Sequence, residues 1–267
     1  MKTTQSESST SAQDDINGKL YDRADWVQDY ATVNLHPPEA IALVRYRDDI
    51  QGRRVLDLGC GAGRLAIYLR PLTDNYVGVD RSPHMVAFCQ RTFAGLPFVQ
   101  ADMRDLRQFE AGSFDTVFAV FNLFDAVSHE DRLTVLAEVR RVLSPRGLLV
   151  FSSHNRNYTN AATAPHLEFT RNPISQVRYA VEYLRNAANH RRVKSMERIE
   201  HDYALLNDSG YNYEVLHYYI GREAQAQQLA DASFELVECM DEFGRTLGRG
   251  DDDSAYSSLQ YVARPTD

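Results

Sequence analysis

"VLDLGCGAGRLAIYL", residues 55–69, runs from an apolar stretch through an acid into a cluster of glycines. A buried strand that ends in an acid and breaks into glycines makes a strand-to-helix turn whose backbone can approach a ligand closely. A dinucleotide fingerprint reads G-x-G-x-x-G, with the third glycine letting helix pack against strand. Here Gly59, Gly61 and Gly63 give G-x-G-x-G, and Arg64 stands where that third glycine belongs. Asp57 precedes the first glycine closely. An ionised carboxylate there repels a pyrophosphate and suits a ligand bearing an ammonium or sulfonium. The loop predicts a cationic, amino-acid-like ligand; the plainer reading is a tight turn and nothing more.

Outward from this loop the pattern alternates. "NYVGVD" (75–80), "PFVQAD" (97–102), "FDTVFAVF" (114–121) and "LLVFSS" (148–153) read as strands. Ser82-Pro83 opens a helix as N-cap and first residue. Leu133, Val135, Leu136, Val139, Val142 and Leu143 recur at helical spacing before Pro145 and Gly147. Such alternation predicts an α/β fold, a mostly parallel sheet with helices on both faces. Pro37-Pro38 starts one of two short helices expected over 17–51.

Regularity breaks after His154. "PISQVRYAVEYLRNAANH" predicts a helix with Ile174, Val177, Val181 and Leu184 in a stripe. Residues 198–220 alternate with period two around Asn-Asp-Ser-Gly, a hairpin signal. A three-residue loop with Gly210 left-handed would pair Asn207 with Tyr211, Leu205 with Tyr213, Tyr203 with Val215, His201 with His217 and Ile199 with Tyr219. All these odd positions would then share one aromatic, histidine-bearing face. A helix over 222–232 and strands over 234–241 and 254–264 return to the sheet. The expected organisation is a disordered polar tail (1–16), a helical lid (17–51), a ligand-binding domain (52–155 and 220–267) and an inserted segment (156–219).

Composition narrows the classes. The chain has 267 residues, 43% hydrophobic and 25% charged, enough for a large core without metal or disulfide staples. A net charge of -8 argues against nucleic acid as partner. Cys60, Cys89 and Cys239 are too scattered for a disulfide framework or zinc spacing. Neither an apolar run of membrane-span length nor a signal peptide is seen, which predicts a cytoplasmic protein without a membrane partner. Arg171, Arg178, Arg185, Arg191, Arg192, Lys194 and Arg198 concentrate positive charge in the inserted segment. They read as a solvated face, with one or two arginines available to clamp an anion.

Taken together, "VLDLGCGAGRLA", "YVGVDRSPHMV", "FVQADMRDL", "FDTVFAVFNLFD" and "RRVLSPRGLLVFSSHN" resemble, in order, the motifs of class I S-adenosylmethionine-dependent methyltransferases, in particular their small-molecule branch. The resemblance covers roughly residues 50 to 155 and implies a Rossmann-like seven-stranded sheet of order 3-2-1-4-5-7-6 with the last strand antiparallel. It implies S-adenosyl-L-methionine as cofactor, held at Asp57, Gly59, Cys60, Gly61, Gly63 and Arg64. Asp80 would accept the ribose hydroxyls, with Arg81 and Met85 nearby. Asp102 would meet the adenine amino group and Met103 the ring, beside Ala101. Phe121 and Asn122 would flank the transferring methyl. Tyr21 and Tyr30 would close over the methionine end, ordinary packing being the other reading.

No acceptor is named by these motifs. The Asn/Asp-Pro-Pro-aromatic motif of base amino-methyltransferases and the Pro-Cys nucleophile of cytosine C5 enzymes are both missing. His154 and His217 stand as candidate catalytic residues, because imidazole titrates near neutrality; for His154 the alternative is a hydrogen-bonded loop histidine. Phe124, Asn155, Tyr203 and Tyr219 are candidate substrate contacts. Asp125 reads as a helix-start residue rather than a base, and Asp251-Asp252-Asp253 as a loop rather than a metal site. No metal is expected. The reading is methyl transfer to nitrogen or oxygen of a small metabolite, by a monomer or homodimer. RNA or protein methylation, or a silent cofactor-binding module, are the rivals.

Overall fold

A computed structural model describes residues 16–18, 20, 23 and 26–266. The expected tail, apart from Ile16, and the candidate Tyr21 lie outside the described residues. From the amino end, α1 (Trp26–Ala31), α2 (Pro37–Arg45) and α3 (Arg47–Ile50) precede β1 (Val55–Leu58), α4 (Ala66–Leu69), β2 (Tyr76–Asp80), α5 (Pro83–Thr92), β3 (Phe98–Gln100) and β4 (Phe114–Ala119). Next come α6 (His129–Val142), β5 (Leu143–Asn155), α7 (Pro173–Val193), β6 (Arg198–Ile199), β7 (Tyr203–Leu206) and β8 (His217–Ile220). The chain ends with α8 (Arg222–Asp231), β9 (Phe234–Met240) and β10 (Ser258–Pro265).

The apolar strands are buried on both faces because helices cover each. Leu56, Leu58, Val117, Leu149 and Phe151 join one core layer with Val135, Leu136 and Val139 of α6 and Leu229 of α8. Their sequence neighbours Val55, Phe118, Leu148 and Val150 join the other, against Leu43, Leu69, Val86 and Cys89. Period-two alternation between two apolar layers is why these strands read as continuous hydrophobic runs. β3, β2, β1, β4 and β5 lie side by side in parallel. β10 runs antiparallel to β5, and β9 pairs beyond it. The order β3-β2-β1-β4-β5-β10-β9 is thus the expected 3-2-1-4-5-7-6 with its last strand reversed, and β6, β7 and β8 enlarge the sheet.

The added strands attach where the site lies. β4 leaves the sheet after Ala119 through two left-handed residues, Phe121 (φ 60°) and Asn122 (φ 57°). β10 holds one edge of His154, and β8 takes the edge that β4 has vacated, pairing His154 with Tyr219 and Asn155 with Ile220. This sets His217 and Tyr219 just beyond the end of β4.

The hairpin register differs from the expectation. Tyr203 pairs with Ile220, Ala204 with Tyr219, Leu205 with Tyr218 and Leu206 with His217. Gly210 is not left-handed; Tyr211, Asn212 and Tyr213 are, at φ 50°, 58° and 61°. Side chains close the longer turn. Asn207 Nδ2 donates to the carbonyls of Tyr213 (3.0 Å) and Val215 (2.7 Å), and Asp208 Oδ1 accepts from Gly210 N–H at 2.8 Å. The slip changes parity, so Tyr203 falls on the face opposite Tyr219.

Candidate active site

A cleft opens at the carboxyl ends of β1, β2 and β4. Asp57, Gly59, Cys60, Gly61 and Arg64 form one wall; Asp80, Arg81 and Met85 form a second. Ala101, Asp102 and Met103 contribute after β3, Phe121 and Asn122 after β4, and Tyr30 from α1. Every described residue expected to hold the cofactor lines this cleft except Gly63. That glycine, at φ +81°, faces away, and a Cβ on it would collide with the Phe93 ring; its part is packing loop against helix.

Each acid of the cleft has a distinct environment. Asp80 ties the glycine loop to α5, its Oδ2 accepting from Gly61 N–H and its Oδ1 from Ser82 N–H, both at 2.8 Å. Asp57 is 2% exposed and accepts from the Tyr76 hydroxyl at 2.8 Å. Burial pushes its carboxyl up to about 7. The Asp102 carboxylate is gripped by Arg104, at 2.9 Å from Nε and 2.6 Å from Nη2, and Arg104 also reaches Asp131 at 3.0 Å. Burial pushes Asp102 up, but Arg104 outweighs it and holds the carboxyl below the usual range. Arg64 extends from the loop to buried Glu39 of α2 (Nη2 to Oε1, 2.8 Å) and lies over the Phe121 ring at 5.1 Å. Its place in the glycine pattern therefore fastens the amino-terminal helices to the loop.

A second cleft adjoins the first and shares Phe121, Asn122 and Tyr211 with it. His154, His217, Tyr219, Ser152 and Asp208 line it. Asp125, wholly buried, accepts from His154 Nδ1–H at 2.7 Å, His154 N–H at 2.6 Å, the Ser153 hydroxyl at 2.7 Å and Arg132 Nη1 at 2.6 Å. Burial pushes its carboxyl up; the Arg132 guanidinium and the His154 imidazole overcome that and hold it below the usual range. With Nδ1 donating, His154 Nε2 carries the lone pair, which accepts from Asn122 Nδ2 at 3.2 Å. Asn122 N–H donates to Ser152 Oγ at 2.8 Å, while its Oδ1 is buried without a partner.

The His154 ring stacks on His217 at 4.9 Å between centroids. Asp208 Oδ2 accepts from His217 Nδ1–H at 2.8 Å and from the Tyr219 hydroxyl at 2.6 Å. Burial lowers the affinity of His217 for a proton, but Asp208 reverses this and raises it. His154, His217 and Asp208 bring potential metal-ligating atoms within 4.8 Å of one another. The hydrogen bond between His217 and Asp208 already occupies two members of that cluster.

Three expected substrate contacts are corrected. Phe124 is fully buried, packed 5.3 Å from Phe151 in the core. Asn155 follows His154 on the strand, so it faces away; its Nδ2 donates to the Asp253 carbonyl at 2.8 Å. Tyr203 stacks on His129 at 4.2 Å, on the far face of the hairpin. Tyr219 lines the second cleft. Sequence reasoning missed Arg132 and the role of Asp208, and took Asp125 for a helix-start residue only; Tyr211, expected on the aromatic hairpin face, lines both clefts, and its hydroxyl bonds that of Tyr30. Only the alternation of His217 and Tyr219 along β8 signalled that wall.

The sheet order, the glycine loop and the acids at the strand ends define a Rossmann-like domain of methyltransferase type. Residues 55–147 match the methyltransferase domain family model. The fatty-acid O-methyltransferase of Mycolicibacterium smegmatis is 39% identical over 116 residues, 41% of this chain and 40% of that one. A ubiquinone biosynthesis O-methyltransferase of Cereibacter sphaeroides is 33% identical over 115 residues, 43% of this chain and 46% of that one. Less than half the length of either relative is thus spanned. Among solved structures, an S-adenosylmethionine-dependent methyltransferase from Clostridium acetobutylicum superposes with a TM-score of 0.60 at 14% identity, covering 94% of this chain and 98% of that one. The 1,6-didemethyltoxoflavin-N1-methyltransferase of Burkholderia thailandensis gives 0.53 at 17% identity, covering 86% and 77%. Residues 55–147 thus carry a methyltransferase domain, and the chain is similar in fold to S-adenosylmethionine-dependent methyltransferases.

Proposed function

We propose that this chain transfers a methyl group from S-adenosylmethionine to nitrogen or oxygen of a small-molecule acceptor. The observation that carries the reading is the shared wall: Phe121, Asn122 and Tyr211 line both the cleft of the glycine loop and one lined by histidines and tyrosines. The first cleft suits the cofactor. Asp80 would offer a carboxylate to the ribose hydroxyls, Asp102 and Met103 would flank the adenine, and Asp57 would face the methionine end. The unpartnered Oδ1 of Asn122 offers a buried acceptor at the junction. When bound, S-adenosylmethionine supplies a sulfonium methyl for in-line displacement.

The chain's own contribution is position and proton traffic. Orientation alone supplies on the order of 7–11 kcal/mol in favourable cases. Asp125 fixes the His154 tautomer so that Nε2 faces the second cleft, where an acceptor hydroxyl or amine would displace the Asn122 amide and give its proton to that lone pair. His217 and Tyr219, pinned by Asp208, shape that cleft. The names of the relatives include O-methyltransferases and an N-methyltransferase of small molecules, which supports a small acceptor and leaves the attacked atom open. Calorimetry tests the cofactor: S-adenosylhomocysteine should bind and NAD should not. Labelled methyl donor with metabolite extracts tests the transfer. Binding of NAD without response to the methyl compounds refutes the reading.

A further inference from the structure

α7 is built inside out. At about 100° per residue, Ile174, Val177, Val181 and Leu184 occupy an arc of about 80°, and that arc points to solvent. Their exposures are 82%, 65%, 62% and 66%, and Phe169, just ahead of the helix, is 84% exposed. The opposite face, which packs, is polar and aromatic. Asn189 Nδ2 donates to the Asn212 carbonyl at 2.9 Å, and His190 bonds Asn207 at 2.7 Å and meets Tyr213 edge-on. The helix has a firm start, with Asn172 Oδ1 accepting from Ile174 N–H and Ser175 N–H. The stripe is therefore a formed surface about 15 Å long.

Charge decides what covers it. Arg178 and Arg185 border one side of the stripe and Arg191 the other, all exposed; Glu182 is the one acid of the helix, and Glu214 of the hairpin turn lies 3.6 Å from Arg185, so Arg178 and Arg191 carry most of the positive border. A second copy laid on the stripe would set arginine borders against arginine borders. An anionic surface meets the same borders favourably, with long arginine stems lying along the apolar boundary and their heads reaching outward. A helix with a narrow apolar stripe between cations is the pattern that lies in the plane of a bilayer interface.

We propose that α7 docks this protein on anionic lipid surfaces. The sequence pattern alone reads these arginines as a solvated face; the exposure of the whole stripe changes that reading. The packed face of α7 holds the turn carrying Tyr211, which lines both clefts, so docking engages the acceptor side of the molecule.

Vesicle flotation of the full chain tests the proposal and is independent of turnover. The chain should float with mixed phosphatidylcholine–phosphatidylglycerol vesicles at low salt, and not with phosphatidylcholine alone. Val181→Asp with Leu184→Asp should reduce the floated fraction about tenfold or more, since each anchor loses its buried area. Circular dichroism and melting should stay unchanged, because both residues are exposed. No flotation with the mixed vesicles, or equal flotation of the variant, overturns the proposal. So does a dimer that the same variant converts to monomer, or binding of poly-glutamate without binding of vesicles.

Discussion

If Asp57 meets the ammonium of the cofactor, as proposed, binding becomes a titration. The Asp57 carboxyl is pushed up to about 7 by burial, with Asp80 and Glu39 raising it further and the Tyr76 hydroxyl and Arg64 pulling it down. Near neutrality the free chain thus holds a protonated fraction of this group, which an ordinary carboxylate would not. A ligand ammonium beside it favours the ionised form and lowers its pKa on binding. Affinity must then fall as pH falls through about 7, and between about pH 8 and about pH 6 the dissociation constant rises about tenfold, ~1.4 kcal/mol. For folding, the sign is opposite. A carboxyl raised from 3.8 to about 7 contributes stability to the free chain below about pH 4 and loses it as pH rises through about 7. The loss is on the order of 4 kcal/mol as an upper bound, so thermal stabilisation by ligand grows with pH. Calorimetry with S-adenosylhomocysteine in buffers of differing ionisation enthalpy reads both quantities. Protons should leave on ligand binding near neutrality, fewer as pH rises, and Asp57→Asn should abolish the release and flatten the profile. A pH-independent dissociation constant in the parent chain, or one that improves on acidification, refutes the reasoning.

Asp80→Ala should weaken cofactor binding about tenfold or more, ~1.5–3 kcal/mol, as hydroxyl donors lose a charged acceptor; an unchanged dissociation constant in a folded variant removes the ribose assignment. His154→Gln should lower turnover by about 10²–10⁴ while cofactor affinity stays put, and equal loss of both would show a structural role instead. Arg132→Ala strands the wholly buried Asp125 and should cost about 3–5 kcal/mol of stability, read as a lower urea midpoint; a loss under about 1 kcal/mol would mean the pair is not isolated from water. Because Asp208 raises the proton affinity of His217, the parent chain should lose stability as pH rises through the raised value. Asp208→Asn should flatten that limb, and a parallel pH–stability curve would contradict the pairing.

Much of the cofactor side was legible because its residues speak locally. An acid at a strand end, a glycine needing positive φ and an apolar run buried on two faces each leave a mark within a few residues of sequence. The hairpin was not legible for the same reason. "NDSG" suits a tight turn, but the turn is closed by Asn207 toward His190 and by Asp208 toward His217 and Tyr219. Those contacts depend on where α7 and β8 lie, and local turn preference cannot see them. Asn155 was a different kind of miss: if His154 faces the cleft, strand alternation already turns its neighbour away.

Asp125 shows the limit most clearly. Capping preference assigned it to the start of a helix, and it does lie in a short 3₁₀ turn, Leu123–Ala126. Its partners, however, come from α6 and from the end of β5. A wholly buried Arg132–Asp125 pair is not needed for stability, since apolar residues of similar volume often do as well or better. Gln228 and Gln225 also bind the guanidinium, at 2.9 and 2.6 Å, so a set of buried polar groups is committed to this one carboxylate. What it gains is orientation. Held by Arg132 and Ser153, Asp125 accepts from His154 Nδ1, and that bond directs Nε2 toward Asn122 at the junction of the two clefts. The buried pair makes physical sense as a mount for the histidine, which is why only the assembled fold reveals it.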